Sequence, residues 1–320
     1  TNITSCDAVL TGSGTVDNEN TAGLFNTLMF NGTGKFEPNN GHMLSATNVI
    51  ICNEVDCNDV AQTGPVNITV PTGGTLDGDS ATLTVAGDFT TSGGLLGASA
   101  LTLDGGSPAS KYVSCNDTVV NGATTYTMEA WIKPDVNNVT QHIIDARDSG
   151  SDGTALSLIN QTVRFRINSD DLITDNVITT TGRWYHIAAT RDSSNVTKIY
   201  VDGKLVKQGS STASISISQN LRIGALAYAP PNEGFDGSID EVRIWNDERT
   251  QTEIKDNMFS EITSVGSDLI LYAKFNEGNG NPTDSGTNSR TFTATGDIWA
   301  GAGTFTQGTS TLVFAKSGTQ

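Results

Sequence analysis

The sequence predicts an all-β protein, and three observations lead to that fold class. Only 17% of the 320 residues are charged, while Thr, Ser, Asn and Gly are abundant, a balance typical of β-rich surface proteins. Short apolar runs alternate with polar residues at a period of two, which is the pattern of strands with one buried face. Gly and Asn separate these runs and predict tight turns.

Residues 1–99 contain the shortest of these runs, at 8–12, 27–31, 48–51, 66–70 and 82–85. Runs of this length predict short strands joined by tight turns. Three segments have a similar composition and a similar spacing of apolar residues and glycines: LFNTLMFNGTGKFEP, ITVPTGGTLDGDSATLTVAGDFTTSGG and GTFTQGTSTLVFAKSGTQ. This similarity predicts a β-solenoid-like or β-sandwich repeat.

The third segment lies at the C-terminal end of the sequence, far from the other two. We therefore interpret residues 100–297 as a domain inserted into the β-repeat, and residues 298–320 as strands that rejoin it. The two ends of such an insert must lie close together, which a sandwich permits when its terminal strands are neighbours.

At both ends of the sequence the β-repeat is interrupted within a repeat unit. Unfinished repeats expose strand edges that pair with another molecule. We therefore expect a homo-oligomer or polymer formed through the ends of the β-repeat. The alternative is that the terminal residues are loops.

The net charge of the chain limits the classes of partner that it is expected to bind. With 35 acidic and 18 basic residues the formal net charge is −17, so electrostatic steering would repel a phosphate backbone and nucleic acid is not an expected partner. The sequence has no apolar run of about 18 residues or more, so no membrane insertion is expected.

Four cysteines are present, at Cys6, Cys52, Cys57 and Cys115. The spacing of Cys52 and Cys57 predicts a disulfide that closes a small loop, and the alternative is that all four are buried thiols. Metal binding by these residues is not favoured, since the sequence has no CxxC pair.

Two local elements stand out in the middle of the chain. Asp202-Gly203 lies between two β-type runs and predicts a type I′ hairpin. Residues 246–259 are the one convincing helical stretch, with Asn246 or Asp247 as its cap and Ile254 on its apolar side.

Several sequence motifs of this region occur in the order that they have in a known family. They are ALTLDGGSPASKYVSC, TTYTMEAWIKPD, GRWYHIAATRDSSNVTKIYVDGKLV and FDGSIDEVRIWNDERTQTEI, with DLILYAKFNEGNG after them. Together they resemble the laminin-G-like family of concanavalin A-like (lectin/glucanase) jelly-rolls, from about residue 100 to 295. The resemblance implies an antiparallel sandwich and leaves the ligand open.

The resemblance also implies a structural calcium ion that joins the start of the jelly-roll to the strand in FDGSIDEVRIW. Ca²⁺ takes six to eight oxygen ligands. In this sequence they would come from the side chains of Asp104 and Asp240 and the carbonyl groups near Gly105 and Gly237. The alternative is that Asp240 caps a turn or pairs with Arg243 or Arg222.

A carbohydrate site is a second expectation, because relatives of this kind bind glycans through rim loops. A sugar site needs an aromatic surface and planar polar groups, and one loop offers Tyr228, Asn232 and Glu233 together. The alternative is a stiff Pro-Pro loop with one exposed tyrosine.

Catalysis is not expected. Some glucanases share this fold, but a retaining glycosidase needs two carboxyl groups on one face of a cleft, whereas the adjacent Asp240 and Glu241 point to opposite faces of a strand. The three histidines are isolated, and neither HExxH nor GxSxG occurs.

The sequence thus predicts a non-catalytic protein of the extracellular space, the cell surface or a virion. Our first interpretation is a structural or assembly protein that self-associates through its β-repeat and displays the jelly-roll. The alternatives are an adhesin-like carbohydrate-binding module, with a glycan or cell-surface partner, and, less favoured, a glycoside hydrolase.

Overall fold

The computed structural model describes residues 6–10, 14–17, 25–32, 36–39, 46–52, 54–56, 67–71, 74–77, 82–85, 89–228, 230–301, 304–306 and 311–314. The chain divides into two compact units. The first unit contains Thr1–Ala98 and Gly301–Gln320, and the second is Ser99–Ala300.

The first unit consists of short parallel strands. Its first ten strands are β1 (Cys6–Leu10), β2 (Gly14–Asp17), β3 (Phe25–Phe30), β4 (Phe36–Asn39), β5 (Ala46–Ile51), β6 (Glu54–Asp56), β7 (Asn67–Val70), β8 (Thr75–Asp77), β9 (Thr82–Val85) and β10 (Phe89–Thr91). One parallel sheet has the order β1-β3-β5-β7-β10, and a second begins with β2-β4-β6-β8.

Two strands from the C-terminal end of the chain pair with strands of the N-terminal segment. Thr304–Thr306 pairs in parallel with β8, and Thr311–Phe314 pairs in parallel with β9. Thr304–Thr306 therefore completes the second parallel sheet, while Thr311–Phe314 and β9 form a separate two-stranded sheet. That this unit is a β-solenoid stays a prediction.

Equivalent apolar residues stack along the first sheet. Val49 lies opposite Leu28 on one side and Ile68 on the other, and all three are buried. Phe30 and Phe36 meet edge to face, with ring centroids 5.2 Å apart. In-register parallel pairing thus turns the repeated apolar positions into a continuous core. Cys52 is buried in this region, and Cys57 lies outside the described residues, so their disulfide stays a prediction.

The second unit is an antiparallel sandwich of two seven-stranded sheets. Its elements are β11 (Leu101–Asp104), β12 (Tyr112–Cys115), β13 (Tyr126–Pro134), β14 (Thr140–Arg147), β15 (Gly153–Ile159), β16 (Thr162–Ile167), β17 (Asp170–Ile173), β18 (Tyr185–Arg191), β19 (Val196–Val201), β20 (Lys204–Ser210), β21 (Arg222–Ile223), β22 (Asp236–Trp245), α1 (Gln251–Asn257), β23 (Leu269–Ala273) and β24 (Phe292–Thr295).

Sheet A has the order β11-β22-β13-β18-β19-β20, with β23 also paired to β22, and sheet B has the order β17-β16-β15-β14-β21-β12-β24. The core lies between them, where Tyr126 of sheet A meets Phe165 of sheet B with ring centroids 5.8 Å apart. The ends of this unit lie side by side, because Leu101 bridges to Trp299 and the amide of Ala300 donates to the carbonyl of Ala100.

The predicted hairpin is confirmed. Val201 pairs with Lys204 across a two-residue turn, and both turn residues have positive φ, 49° at Asp202 and 70° at Gly203. These are the angles that a type I′ turn requires.

The helix is shorter than predicted and begins later. Thr250 is its N-cap: its hydroxyl accepts from the amide of Glu253, whose carboxylate accepts from the amide of Thr250 at 2.8 Å. Asn246 and Asp247 do not cap it, since their backbone groups bond to Asp268 and to the Thr127 hydroxyl instead. In the part of the chain that the structure describes, no helix has the length and apolarity needed to cross a membrane.

Candidate functional site

The outer face of sheet B carries a row of polar residues at matched positions. Along β16, Val163, Phe165 and Ile167 point into the core, so Arg164 points to the opposite face. Arg164 lies opposite Ser157 on β15, and Ser157 lies opposite His142 on β14. His142, Ser157 and Arg164 therefore form one row across three strands.

The histidine at one end of this row is held between two carboxylates. The side chain of His142 is fully buried, with Nδ1 2.9 Å from Oδ2 of Asp145 and Nε2 2.8 Å from Oε2 of Glu233. Asp145 is also fully buried and accepts from Nε of Arg147 at 2.8 Å and from the amide of Ala227 at 3.1 Å. The contact of Nε2 with Glu233 is a hydrogen bond, whereas Nδ1 lies close to Asp145 without forming one.

Asp145 remains a carboxylate in spite of its burial. Burial alone would raise its pKa, but the contacts with His142 and Arg147 outweigh it and hold the pKa of Asp145 below its usual range. The anchor of the network is therefore a charged group that cannot move without losing its partners.

The predicted sugar loop closes over this network. The amide of His142 donates to the carbonyl of Glu233 at 3.1 Å, and the amide of Leu226 donates to the carbonyl of Asn232 at 3.1 Å. The structure thus brings Glu233 into the His142 network and uses the backbone of Asn232 to close the turn. Tyr228 lies against Arg147, whose guanidinium carbon is 5.6 Å from the ring centroid.

Glu233 is the member of the network that reaches solvent, with 44% of its side chain exposed. The hydrogen bond with His142 lowers the pKa of Glu233, against burial, and the positive charges of Arg147 and Arg164 add to this effect. Its carboxylate is therefore an ionised hydrogen-bond acceptor that His142 holds in place and that solvent can reach.

A surface cavity of about 370 Å³ lies beside Glu233. Its lining includes the glycine backbone at Gly105 and Gly106, the side chain of Asp236, and Val139, which is 45% exposed. Burial raises the pKa of Asp236, and the negative charges of Asp135 and Asp104 raise it further. The cavity thus offers carboxylate oxygens next to an apolar surface.

The four residues predicted to bind calcium are not brought together. In the β11–β22 pair, Asp104 lies opposite Asp236 and Leu103 lies opposite Gly237. Asp240 is four residues further along β22, about 13 Å away at the usual strand rise, where it is fully buried opposite Trp131. Asp104 and Asp240 therefore do not fit one ion as a set.

The glycine of this motif has a steric role instead. A Cβ atom at Gly237 would lie 2.1 Å from the carbonyl oxygen of Lys133, and the φ of Gly237 is 133°. Within the described residues, no group of three or more His, Cys, Asp or Glu side chains is arranged to hold a metal ion.

The acidic residues of FDGSIDEVRIW belong to the packing of sheet A. Oδ1 of Asp240 accepts from the amide of Glu241 at 3.0 Å. The predicted partner of Asp240, Arg243, is buried and pairs with Glu241 at 2.5 Å and with Glu129 at 3.5 Å. Both carboxylates of the Asp240–Glu241 pair are buried, so this motif does not provide the open carboxyl pair that a glycosidase needs.

Sequence reasoning missed the residues behind the site, namely His142, Asp145, Arg147 and Arg164. For Arg164 the signal is visible in TVRFRIN, where arginines alternate with apolar residues. For the others it is hidden, because the register shifts between His142 and Ile144 and a bulge interrupts the period of two.

Comparison with known proteins agrees with this fold. The profile of the concanavalin A-like lectin/glucanases superfamily matches residues 104–255. A candidate carbohydrate-binding protein from Bacteroides ovatus is similar in structure, with a TM-score of 0.50 and 22% identity over 61% of this chain and 59% of that chain. The chain thus spans less than two thirds of that protein.

Two further structures show weaker similarity. The sialidase CBM40 of Ruminococcus gnavus bound to α2,3-sialyllactose aligns with a TM-score of 0.39 and 16% identity over 48% of this chain and 96% of that chain. A structure of botulinum neurotoxin type C, whose cell entry depends on two ganglioside molecules, aligns with a TM-score of 0.37 and 16% identity over 52% of this chain and 42% of that chain. No curated protein matches the sequence.

The second unit is therefore a jelly-roll of the laminin-G type. Residues 104–255 form a domain of the concanavalin A-like lectin/glucanase superfamily.

Proposed function

We propose that the second unit is a non-catalytic carbohydrate-binding module that works outside the cell. The observation that carries the proposal is the geometry of Glu233, a half-exposed carboxylate that His142 fixes at the edge of the cavity. Sugars are recognised by a few fixed polar groups next to an apolar surface, and a preorganised acceptor avoids the entropy cost of ordering a free side chain.

The surroundings of Glu233 support this proposal. Val139 gives the cavity an apolar wall for the C–H face of a sugar, while Asp236 supplies a second set of acceptor oxygens for hydroxyl groups. The Bacteroides ovatus protein has the same fold, but a shared fold does not determine the ligand. The support for carbohydrate binding therefore comes from the cavity and not from the neighbours.

The test is a glycan array, followed by calorimetry on each glycan that binds, with the wild-type chain and Glu233→Gln. We expect Glu233→Gln to weaken binding at least tenfold, because an amide replaces the ionised acceptor and its bond with His142. Glu248→Gln is the matched control, since Glu248 pairs with Lys198 on sheet A and should bind like wild type. Equal binding by Glu233→Gln and wild type would refute the site, and no binding by the wild type would refute the function.

We propose self-association through the first unit as a second candidate function. Among the described strands, β1 and β10 are the two edges of one parallel sheet. An edge strand offers unpaired amide and carbonyl groups to another chain. Since the two edges differ, β10 of one copy would pair with β1 of the next and produce head-to-tail filaments.

Electron microscopy of the ligand-free chain tests this second proposal. We expect filaments that shorten when proline replaces Ala8 in β1, because proline cannot donate a hydrogen bond to a neighbouring strand. The same replacement at Thr212, in the sandwich, is the control and should leave filament length unchanged. Dispersed monomers at every concentration would contradict the proposal.

A further inference from the structure

Arg164 is a buried cation with no anionic partner in the described part of the chain. It is 8% exposed, and the hydrogen bond that the structure gives its guanidinium runs from Nε to Oγ of Ser157 at 3.0 Å. No described carboxylate forms an ion pair with it, whereas Arg147 and Arg166 have Asp145 and Asp171 as partners at 2.8 and 2.6 Å. Buried arginines are rarely left unpaired, because removing the charge from water is costly.

The neighbours of Arg164 increase this cost. Burial lowers the pKa of Arg164, and repulsion from Arg166 and Arg147 lowers it further. The negative charges of Asp171 and Glu233 act against this shift. Neither forms an ion pair with Arg164, since Asp171 holds Arg166 with two hydrogen bonds of 2.6 and 2.7 Å and Glu233 is bonded to His142 at 2.8 Å. Arg164 therefore has no ion-pair partner among the described residues of this face, in a chain whose formal net charge is −17.

We propose that Arg164 binds the carboxylate of an acidic sugar. The inference rests on the proposed carbohydrate-binding function and names its ligand class. Nε is held by Ser157, so the two terminal nitrogens of the guanidinium remain to donate in parallel to the two oxygens of a carboxylate, which is the geometry that arginine favours.

Arg164 lies at one end of the row, and Glu233 contacts His142 at the other end. Glu233 is bonded to His142, and His142 and Arg164 are separated by two strand spacings, about 10 Å in all. The positive charge of Arg164 also contributes to the lowered pKa of Glu233, after the larger effects of His142 and Arg147. A sugar between them would place its carboxylate on Arg164 and a hydroxyl group on Glu233.

The test uses the full chain and calorimetry with oligosaccharides that end in glucuronic, galacturonic or sialic acid. The comparison ligands are the same oligosaccharides with the carboxyl group reduced to an alcohol, and sulfated neutral oligosaccharides. We expect at least one acid-terminated ligand to bind at least tenfold more tightly than its reduced form. We expect Arg164→Gln to remove that preference while Arg164→Lys retains part of it.

Controls separate binding from folding. Arg249→Gln, which removes an arginine paired with Asp247 and Glu253 near the helix, should bind like wild type. Removing an unpaired buried charge should leave the melting temperature of Arg164→Gln equal to that of wild type or above it. An excess of the acidic ligand should then raise the melting temperature of wild type and not that of Arg164→Gln.

The other possible outcomes contradict the role of Arg164, the carboxylate as its ligand, or the proposed function. Equal affinity for acidic and reduced ligands, with binding still dependent on Glu233, contradicts the role of Arg164 and leaves the proposed function in place. Binding of sulfated ligands alone contradicts the assignment to a carboxylate. Failure of every glycan to bind contradicts both proposals.

Discussion

Two histidines of the jelly-roll show how surroundings decide the role of a residue type. His142 lies between two carboxylates and connects the core of sheet B to the exposed Glu233. His186 on β18 is also buried, with one carboxylate, Glu129, 3.7 Å from its Nε2, and it lies beside Trp131 and near Arg243. Burial lowers the pKa of His186 to about 3, and the positive charge of Arg243 contributes to the same shift. His142 thus holds Glu233 of the candidate site, and His186 is part of the packing.

The lowered pKa of His186 predicts a loss of stability in mild acid. In the unfolded chain a histidine takes up a proton near pH 6.5, whereas in the folded chain His186 stays neutral down to about pH 3. Below pH 6.5 the unfolded state therefore binds more protons, and stability falls by up to about 1.4 kcal/mol for each pH unit. We expect the melting temperature of the second unit to fall steadily between pH 6 and pH 4.

His186→Gln tests this expectation, because glutamine does not titrate. Its melting temperature should be lower than that of wild type at pH 7 and depend less on pH between 6 and 4. The carboxylates act in a different window, since the lowered pKa of Asp145 gives a contribution that is lost only as the pH falls below about 4. An unchanged slope between pH 6 and pH 4 in His186→Gln would show that another group is responsible.

At the scale of elements, the sequence predicted a local structure correctly where a single local preference determines it. Asp202-Gly203 favours its turn because both residues adopt positive φ, and the contacts of Asp202 with Arg183 and His186 are formed in that same conformation. The helix start was misplaced because two caps compete. Asn246 and Asp247 are good caps by type, but Thr250 with Glu253 satisfies two amides reciprocally, and the residues before it are held by the sheet.

The candidate site was less predictable, because it depends on pairing between strands. The loop that contains Tyr228, Asn232 and Glu233 was visible as a cluster of suitable residue types. The row of His142, Ser157 and Arg164 comes from three strands whose register no local pattern gives. For the same reason the sequence allowed Asp104 and Asp240 to be assigned to one calcium site. In the structure Asp104 pairs with Asp236, which places Asp104 and Asp240 far apart.

At the scale of the whole molecule, the two units differ in how far along the chain their contacts reach. The second unit is one continuous segment, and its terminal residues Leu101 and Trp299 pair with each other. The first unit combines two segments that the whole second unit separates, as in the pairing of Leu76 with Phe305. Contacts between distant segments require costly loop closure before they form.

This difference predicts that the second unit folds without the first. A fragment of residues 99–300 keeps both sheets and the core between them, so we expect it to melt in one cooperative transition, at the temperature of one transition of the full chain. A chain that ends at residue 300 should keep that transition and lose or weaken the other, because β8 and β9 lose their partner strands. Differential scanning calorimetry of the three chains decides the matter. A fragment that binds a hydrophobic dye and melts without cooperativity would show that the sandwich depends on the first unit for its fold.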